Sequence, residues 1–350
     1  METTLSKIDI APVSVEHMKN AQARLDILTK PIGSLGMLEE FVKRLAGIYN
    51  TDMPLMPKKV VFTFAGDHGV CAEGVSAFPA EVTPQMVINI LRGGAAINVL
   101  ARHAGADVVV VDAGVNYDFP VTVGLINKKV AHGTKNMAKG PAMSKEEAIK
   151  SIEIGITLAH EYKEKGYRMF GTGDMGIGNT TPSAAIASVI TGKPAAQVTG
   201  RGTGIDDKVH KHKISVIEMA ISVNKPNSSD PIDVLSKVGG AEIGAIAGLC
   251  LGAAQRAIPV VIDGFISTAG ALIAYCINPM VGQYLFAGHK SQEIGHIVML
   301  EFMKLRPILD LDLRLGEGTG AVMAMTLIDS GLKIYREMAT FQEAGVSEKE

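Results

Sequence analysis

The chain has 350 residues, of which 47% are hydrophobic and 20% charged, with a formal net charge of −2. This length and polarity fit a large folded domain with a smaller one and exclude a disordered chain. A pI of about 6.5 offers no basic face for nucleic acid. No apolar run of membrane-spanning length escapes interruption by glycine, proline or charge, so no membrane span is expected.

The opening "METTLSKIDIAPVSVEHMKN" lacks a basic stretch followed by an apolar core, so no secretory signal is expected. Cys71, Cys250 and Cys276 are widely spaced and form no CxxC, which points to a reducing cytoplasm. Ser14 is placed to cap a helix whose face carries Met18, Ala21, Leu25 and Leu28. After Pro31 and Gly33 a second helix is expected, capped by Ser34, with Leu38, Phe41, Val42 and Leu45 on one face.

From Lys58 the pattern changes. "KKVVFTFAGDHG", "ADVVVVDAGV", "YRMFGTGDMGIGNTT", "AIPVVIDGFIST" and "GQYLFAGHKSQEIGH" are short apolar runs, most closing on glycine with an acid or histidine. Helical patterns such as "PQMVINILRGGAAINVLARHAG" and "SKEEAIKSIEIGITLAHEYKEKG" separate them. Wholly apolar strands alternating with helices predict a parallel sheet covered on both faces. Ligands of such sheets bind beyond the carboxyl ends of the strands, where these glycines and acids fall. The abundant glycine (38 residues) and scarce aromatics (5%) predict tight packing of helices. From Gly318 to Glu350 the sequence reads as one helix interrupted at Gly331, returning to the N-terminal helices.

Several turns carry candidate chemistry. "GTGDMGIGNTT", Gly171 to Thr181, is an anion cradle or a packing device; its glycine amides and the helix that follows suit either. It lacks the lysine of a P-loop. It also lacks the acid expected some 20 residues after a dinucleotide-binding turn, which discounts a nicotinamide-dependent oxidoreductase. A second glycine turn, Gly200 to Gly204, precedes "IDDKVHKHK", a solvated helix face or the source of a phosphate-binding lysine. His210 and His212, two apart, diverge on a helix, so no metal is expected. In "LDLRLGEGTGA", Glu317 lies between two glycines with Leu315 nearby, and reads as a general base or as an acid serving a helix N-terminus. "AGDHGV" brings no nucleophile beside its histidine and reads as structural.

"KPIGSLGMLEE", "FAGDHGV", "RGGAAINVLARHAGA", "GDMGIGNTTPSAA", "GGAEIGAIAG", "VIDGFISTAGAL", "GHKSQEIGH" and "LRLGEGTGAVMA" occur in that order from Lys30 to Ala324. Together they resemble the nicotinate-nucleotide–dimethylbenzimidazole phosphoribosyltransferases of cobamide biosynthesis. The resemblance implies a Rossmann-like α/β domain over 56–321 and a small helical domain from 1–55 and 322–350. It implies a homodimer, with nicotinate mononucleotide as donor, 5,6-dimethylbenzimidazole as acceptor and no cofactor. It places Glu317 at the catalytic base. It also suggests Gly176, Gly178, Asn179, Thr180, Gly202 and Lys213 around the donor phosphate, and Asp263 and Ser291 near ribose or nicotinate. Phe78 and Met86 in "EGVSAFPAEVTPQMV", with Leu315, are expected around the acceptor.

The sequence departs from the family at Asp174, where glutamate is usual, so the carboxylate is drawn back by a methylene. Some members carry serine and glutamine where Phe78 and Met86 align. An apolar lining keeps open a relative that uses phenol, p-cresol or another base, alone or as one subunit of a heteromer. A rival of another class is a non-catalytic paralogous subunit, against which the retained Glu317 argues.

Overall fold

Residues 8–202 and 204–347 are described by a computed structural model. Two helices open the chain, α1 (Val15–Asp26) and α2 (Met37–Tyr49). The sheet then begins with β1 (Lys59–Gly66), followed by α3 (Val82–Leu91), α4 (Ala96–Ala104), β2 (Ala106–Gly114) and β3 (Leu125–Asn127). Its centre is α5 (Lys145–Glu164), β4 (Met169–Met175), α6 (Thr180–Thr191), α7 (Ala195–Val198), α8 (Asp207–Asn224) and α9 (Pro231–Val238). Then come α10 (Ala241–Gln255), β5 (Val260–Ile262), α11 (Phe265–Ile277), β6 (Leu285–His289), α12 (Gly295–Phe302) and β7 (Pro307–Leu309). The chain closes with α13 (Thr319–Glu337) and α14 (Phe341–Ala344).

The strands form one parallel sheet in the order β3-β2-β1-β4-β5-β6-β7. The order reverses between β1 and β4, which opens a crevice at their carboxyl ends. The five apolar runs of the sequence are β1, β2, β4, β5 and β6; the two edge strands, each of three residues, were not anticipated.

Side chains alternate across β1, so each neighbour identifies a face. The Phe62 ring meets Tyr162 of α5 at 4.8 Å between centroids. The next residue back, Val61, crowds Gly318 and Gly171 from the side that Ile97 of α4 and Met325 of α13 also approach. Helices therefore cover both faces. Glycine lets α5 and α10 touch backbone to backbone: a Cβ on Gly155 would stand 2.0 Å from the Ala245 carbonyl oxygen.

Ser14 caps α1 by accepting the His17 N–H, and Ala21, Leu25 and Leu28 are buried. The second cap differs from expectation. Gly36 precedes α2 without a side-chain cap, and Ser34 lies outside the helix. The single pattern over 84–105 divides into α3 and α4 because Gly93 turns left-handed (φ 80°). Conversely, α13 runs unbroken through Gly331, where a Cβ would meet the Leu38 carbonyl at 2.7 Å. It stops at Met338, so the tail is not one helix.

The chain ends meet. Leu28 bridges Thr340, Arg24 donates to the Tyr335 carbonyl at 3.1 Å, and the Tyr335 hydroxyl donates to Asp52 O at 2.7 Å. The anticipated boundary at 321/322 falls inside α13, which packs on α2 and also on β4, β5 and β6. No helix among the described residues is long and apolar enough to cross a membrane.

Candidate active site

A cavity of about 270 Å³ opens where the carboxyl ends of β4 and β6 meet the turns before α6 and α13. Its wall includes Asp174, Gly176, Gly178, Asn179 and Thr180 from the β4–α6 turn. Gly202, Ser291, Phe78 and Leu315 line other sides. Met86 stands apart on α3, packed against the core rather than on this wall.

Gly316, Glu317 and Gly318 are three consecutive left-handed residues (φ 87°, 64° and 101°). Glycine adopts that region freely; glutamate pays roughly 1–2 kcal/mol for it. The turn is held on every side. Glu317 N–H donates to Asp174 O at 3.1 Å, and Thr63 Oγ1 on β1 donates to Glu317 O at 2.8 Å. Thr319 N–H donates to Gly316 O at 3.1 Å. The Glu317 carboxylate accepts the Ile97 N–H at 3.3 Å. Glu317 is 4% exposed, deeper than its glycine flanks suggested, and sits just behind Gly316 of the wall. Burial raises its pKa above the ordinary carboxyl range, against the pull of the Ile97 amide, and the Asp263 carboxylate adds to the rise.

Asp263 does not face the cavity. Its carboxylate is fully buried and accepts N–H groups of Gly318 (3.1 Å), Gly320 (2.7 Å) and Ala321 (3.0 Å). It is thus the acid at the N-terminus of α13, and it also pairs with His289 of the wall at 3.6 Å. Asp174 accepts the Asn179 side-chain amide at 2.8 Å, and its other oxygen has no partner among the described residues. Burial and the nearby Asp263 carboxylate push its pKa well above the usual value.

At the other end of the cavity α6 presents its N-terminus, with Gly178 left-handed (φ 85°) and Cys71 too close to allow a Cβ there. The buried Lys213 of α8 lies just outside the wall and donates to Thr180 Oγ1 at 2.6 Å. Burial lowers its pKa to about 8, opposed by Glu293. The Gly202 N–H is already engaged by Glu293 Oε1 at 2.8 Å. A helix N-terminus with a lysine beside it is an arrangement chemically suited to an anion.

His68 lies behind Gly178 of the wall, off the cavity lining, and pairs with Glu242 at 2.8 Å. Burial pulls its ring toward neutral, and the Glu242 and Asp67 carboxylates together outweigh that pull and raise its pKa. His210 and His212 turn to different carbonyls, Thr199 O and Glu73 O.

The phosphoribosyltransferase family profile matches residues 10–346. The chain belongs to this family. It is 63% identical over 350 residues to the nicotinate-nucleotide–dimethylbenzimidazole phosphoribosyltransferase of Geotalea uraniireducens, covering 100% of this chain and 99% of that one. It is 62% identical to the Geobacter sulfurreducens protein of the same name, over 98% of this chain and 97% of that one. A crystal structure of CobT from Thermus thermophilus superposes with a TM-score of 0.92 at 46% identity, covering 95% of this chain and 100% of that one.

Within this phosphoribosyltransferase, sequence reasoning passed over Thr63, Ile97, His289 and Glu293. His289 and Glu293 stand on the wall inside a quoted motif, "GHKSQEIGH", yet nothing in their spacing separates them from Ser291. Thr63 and Ile97 act through single hydrogen bonds to Glu317, more than 200 residues away, and carry no local signal.

Proposed function

We propose that the protein transfers 5-phosphoribosyl from nicotinate mononucleotide to a ring nitrogen of 5,6-dimethylbenzimidazole, giving α-ribazole 5′-phosphate and nicotinate. One observation carries the reading. A buried carboxylate, Glu317, follows Gly316 of the cavity wall and is held by the Ile97 N–H, in a chain whose relatives, matched end to end, bear that activity in their names.

The C1′–N bond of the donor breaks and its electron pair returns to the pyridinium nitrogen. Nicotinate therefore leaves with its ring neutral, and departure asks for no acid. An acceptor nitrogen uses its lone pair to form the new C1′–N bond. The proton on the acceptor's other nitrogen passes to the Glu317 carboxylate, so charge balances. A carboxylate of raised pKa is a better proton acceptor than an ordinary one. Phe78 and Leu315, both exposed on the wall, suit a flat apolar acceptor. Gly176, Gly178, Asn179 and Thr180, with Lys213 behind them, serve the 5′-phosphate. Ser291, on the same wall, suits a contact with the ribose.

On the same reading the enzyme is a cytoplasmic homodimer, which sedimentation would check. The free state of its cysteines suits that compartment.

The test offers nicotinate mononucleotide with dimethylbenzimidazole, adenine, phenol and p-cresol in competition and identifies products by mass. The benzimidazole product should dominate; a dominant phenolic riboside overturns the acceptor assignment. Glu317→Gln should lower turnover ~10²–10⁴-fold while donor binding stays nearly intact. Near-normal turnover by that variant sinks the base assignment.

A further inference from the structure

The turn between α7 and α8 is thin where it closes the cavity. A Cβ on Gly200 would stand 2.2 Å from Glu293 Oε2. A Cβ on Gly202 would stand 2.8 Å from Thr180 Oγ1 and 3.2 Å from Lys213 Nζ. Glycine at both positions lets a carboxylate press close to one part of the turn and a lysine to another.

Glu293 is itself rigidly held. Its N–H donates to Ser291 Oγ at 3.3 Å, and its carbonyl accepts the His296 N–H at 2.9 Å. Ser291 N–H in turn donates to His296 Nδ1 at 2.9 Å, and His296 Nε2 meets Thr268 Oγ1 at 2.9 Å. The Glu293 side chain is 7% exposed. One carboxylate oxygen takes the Gly202 N–H at 2.8 Å, and the other has no hydrogen-bond partner among the described residues.

A buried carboxylate with an unpaired oxygen costs free energy, and an acid on the wall of a phosphate site repels its ligand. Its presence there needs a compensating service. We propose that Glu293 is a positioning residue: its carboxylate fixes the Gly200–Gly202 turn and faces Lys213 across it, so that turn and lysine form a preformed seat for the donor's phosphate. The inference rests on the phosphoribosyl-transfer reading and assigns the seat's rigidity to an acid.

The charges agree with this role. Burial draws the Lys213 ammonium down to about 8, and Glu293 is the first of the influences that keep its proton on, with Cys71 the second. Two arginines also serve this turn. Arg314 Nη1 donates to Gly202 O at 3.4 Å, and Arg201 donates to Ile205 O at 2.9 Å while pairing with Asp207. They tether its carbonyls; the Gly202 N–H is tied by Glu293 alone among the side-chain bonds described.

Two variants test the contact from opposite sides. Glu293→Gln removes the charge and keeps the shape. Gly200→Ala keeps the acid and sets a methyl where its carboxylate rests. Binding of inorganic phosphate, read by calorimetry, should weaken about tenfold in each, as expected for loss of a charge-assisted contact. KM for nicotinate mononucleotide should rise by about the same factor, with kcat within about threefold. KM for the phosphate-free nicotinate riboside should not move, and the double variant should be no worse than either single one, because both break one contact.

Wild-type phosphate affinity in Glu293→Gln overturns the proposal. So does tighter binding, which would make the acid a mere repeller, or an equal loss with the riboside. Phosphate binding is read without turnover, so these outcomes are separate from failure of the wild-type enzyme to use nicotinate mononucleotide, which would sink the functional reading instead. Should Glu293→Gln not fold, the same measurements on Gly200→Ala decide the proposal in the same way.

Discussion

Replacing Thr63 by valine exchanges a hydroxyl for a methyl group at a fully buried position of β1. That hydroxyl donates to the Glu317 carbonyl at 2.8 Å. Valine leaves the carbonyl unpaired in the interior, at a cost of ~1–3 kcal/mol. The left-handed conformation of Glu317 (φ 64°) already costs ~1–2 kcal/mol. The lost bond is thus comparable with the strain it helps to contain, and the turn gains access to relaxed geometries in which the carboxylate leaves the Ile97 N–H. Turnover should fall about tenfold or more, since ~1.4 kcal/mol of positioning corresponds to a factor of ten. KM for the donor should stay within about twofold, and the melting temperature should drop by about a few degrees. Steady-state kinetics with nicotinate mononucleotide and dimethylbenzimidazole, alongside calorimetry, read all three. Thr63→Ser restores the donor and should recover most of kcat. A valine variant that melts earlier yet keeps wild-type kcat would refute the reasoning, because the hydroxyl would then serve stability alone.

Three further outcomes follow from the same turn. Asp263→Asn sets an amide donor against backbone N–H groups that now meet carboxylate oxygens. Hydrogen exchange at Gly320 and Ala321 should quicken and kcat should fall more than KM rises; unchanged exchange counts against the capping role. For Asp174 the folded acid holds its proton to higher pH than the unfolded one, so its stabilising contribution is complete below the ordinary carboxyl pKa and is lost as pH rises through the raised folded value. Melting of Asp174→Asn should therefore gain on wild type as pH increases, and a pH-independent gap contradicts the raised pKa. Glu317 must be ionised to accept a proton, so kcat should fall with decreasing pH through a value above the ordinary carboxylate range, and a limb at or below that range would contradict the burial effect.

What the sequence revealed depended on whether a residue's partner was local. The inner strands were legible because burial on both faces turns them into apolar runs. Strands β3 and β7 were not, because three partly exposed residues at a sheet edge, one of them Pro307, leave no pattern. Gly331 read as a break, yet its missing side chain is what admits the Leu38 carbonyl. Asp263 and Asp174 end strands in similar words, "VIDGF" and "GTGDMG", yet only Asp174 reaches the cavity. A strand-end acid looks the same whether it meets a ligand or a helix N-terminus, and the crossing of α13 over the sheet decides which. Glu317 stood out through its glycines. Its left-handed backbone did not, because glutamate gives no sign of adopting that region. Thr63 and Glu293 act on residues brought near only by the strand order, and no spacing along the chain announces them.

Glu317 immediately precedes Gly318, the capping glycine of α13, and that helix packs on α2 and is tied at its far end to α1 by Arg24. Nineteen residues make a rod of about 28 Å. Pivoting it by about 1° at the distal end displaces the near end by ~0.5 Å, the tolerance within which catalytic groups must be held. If α13 tilted as a rod, such leverage would carry a change at the seam between the two chain termini to the Glu317 carboxylate. A substitution there, such as at Arg24 or Tyr335, should then lower kcat without touching the cavity.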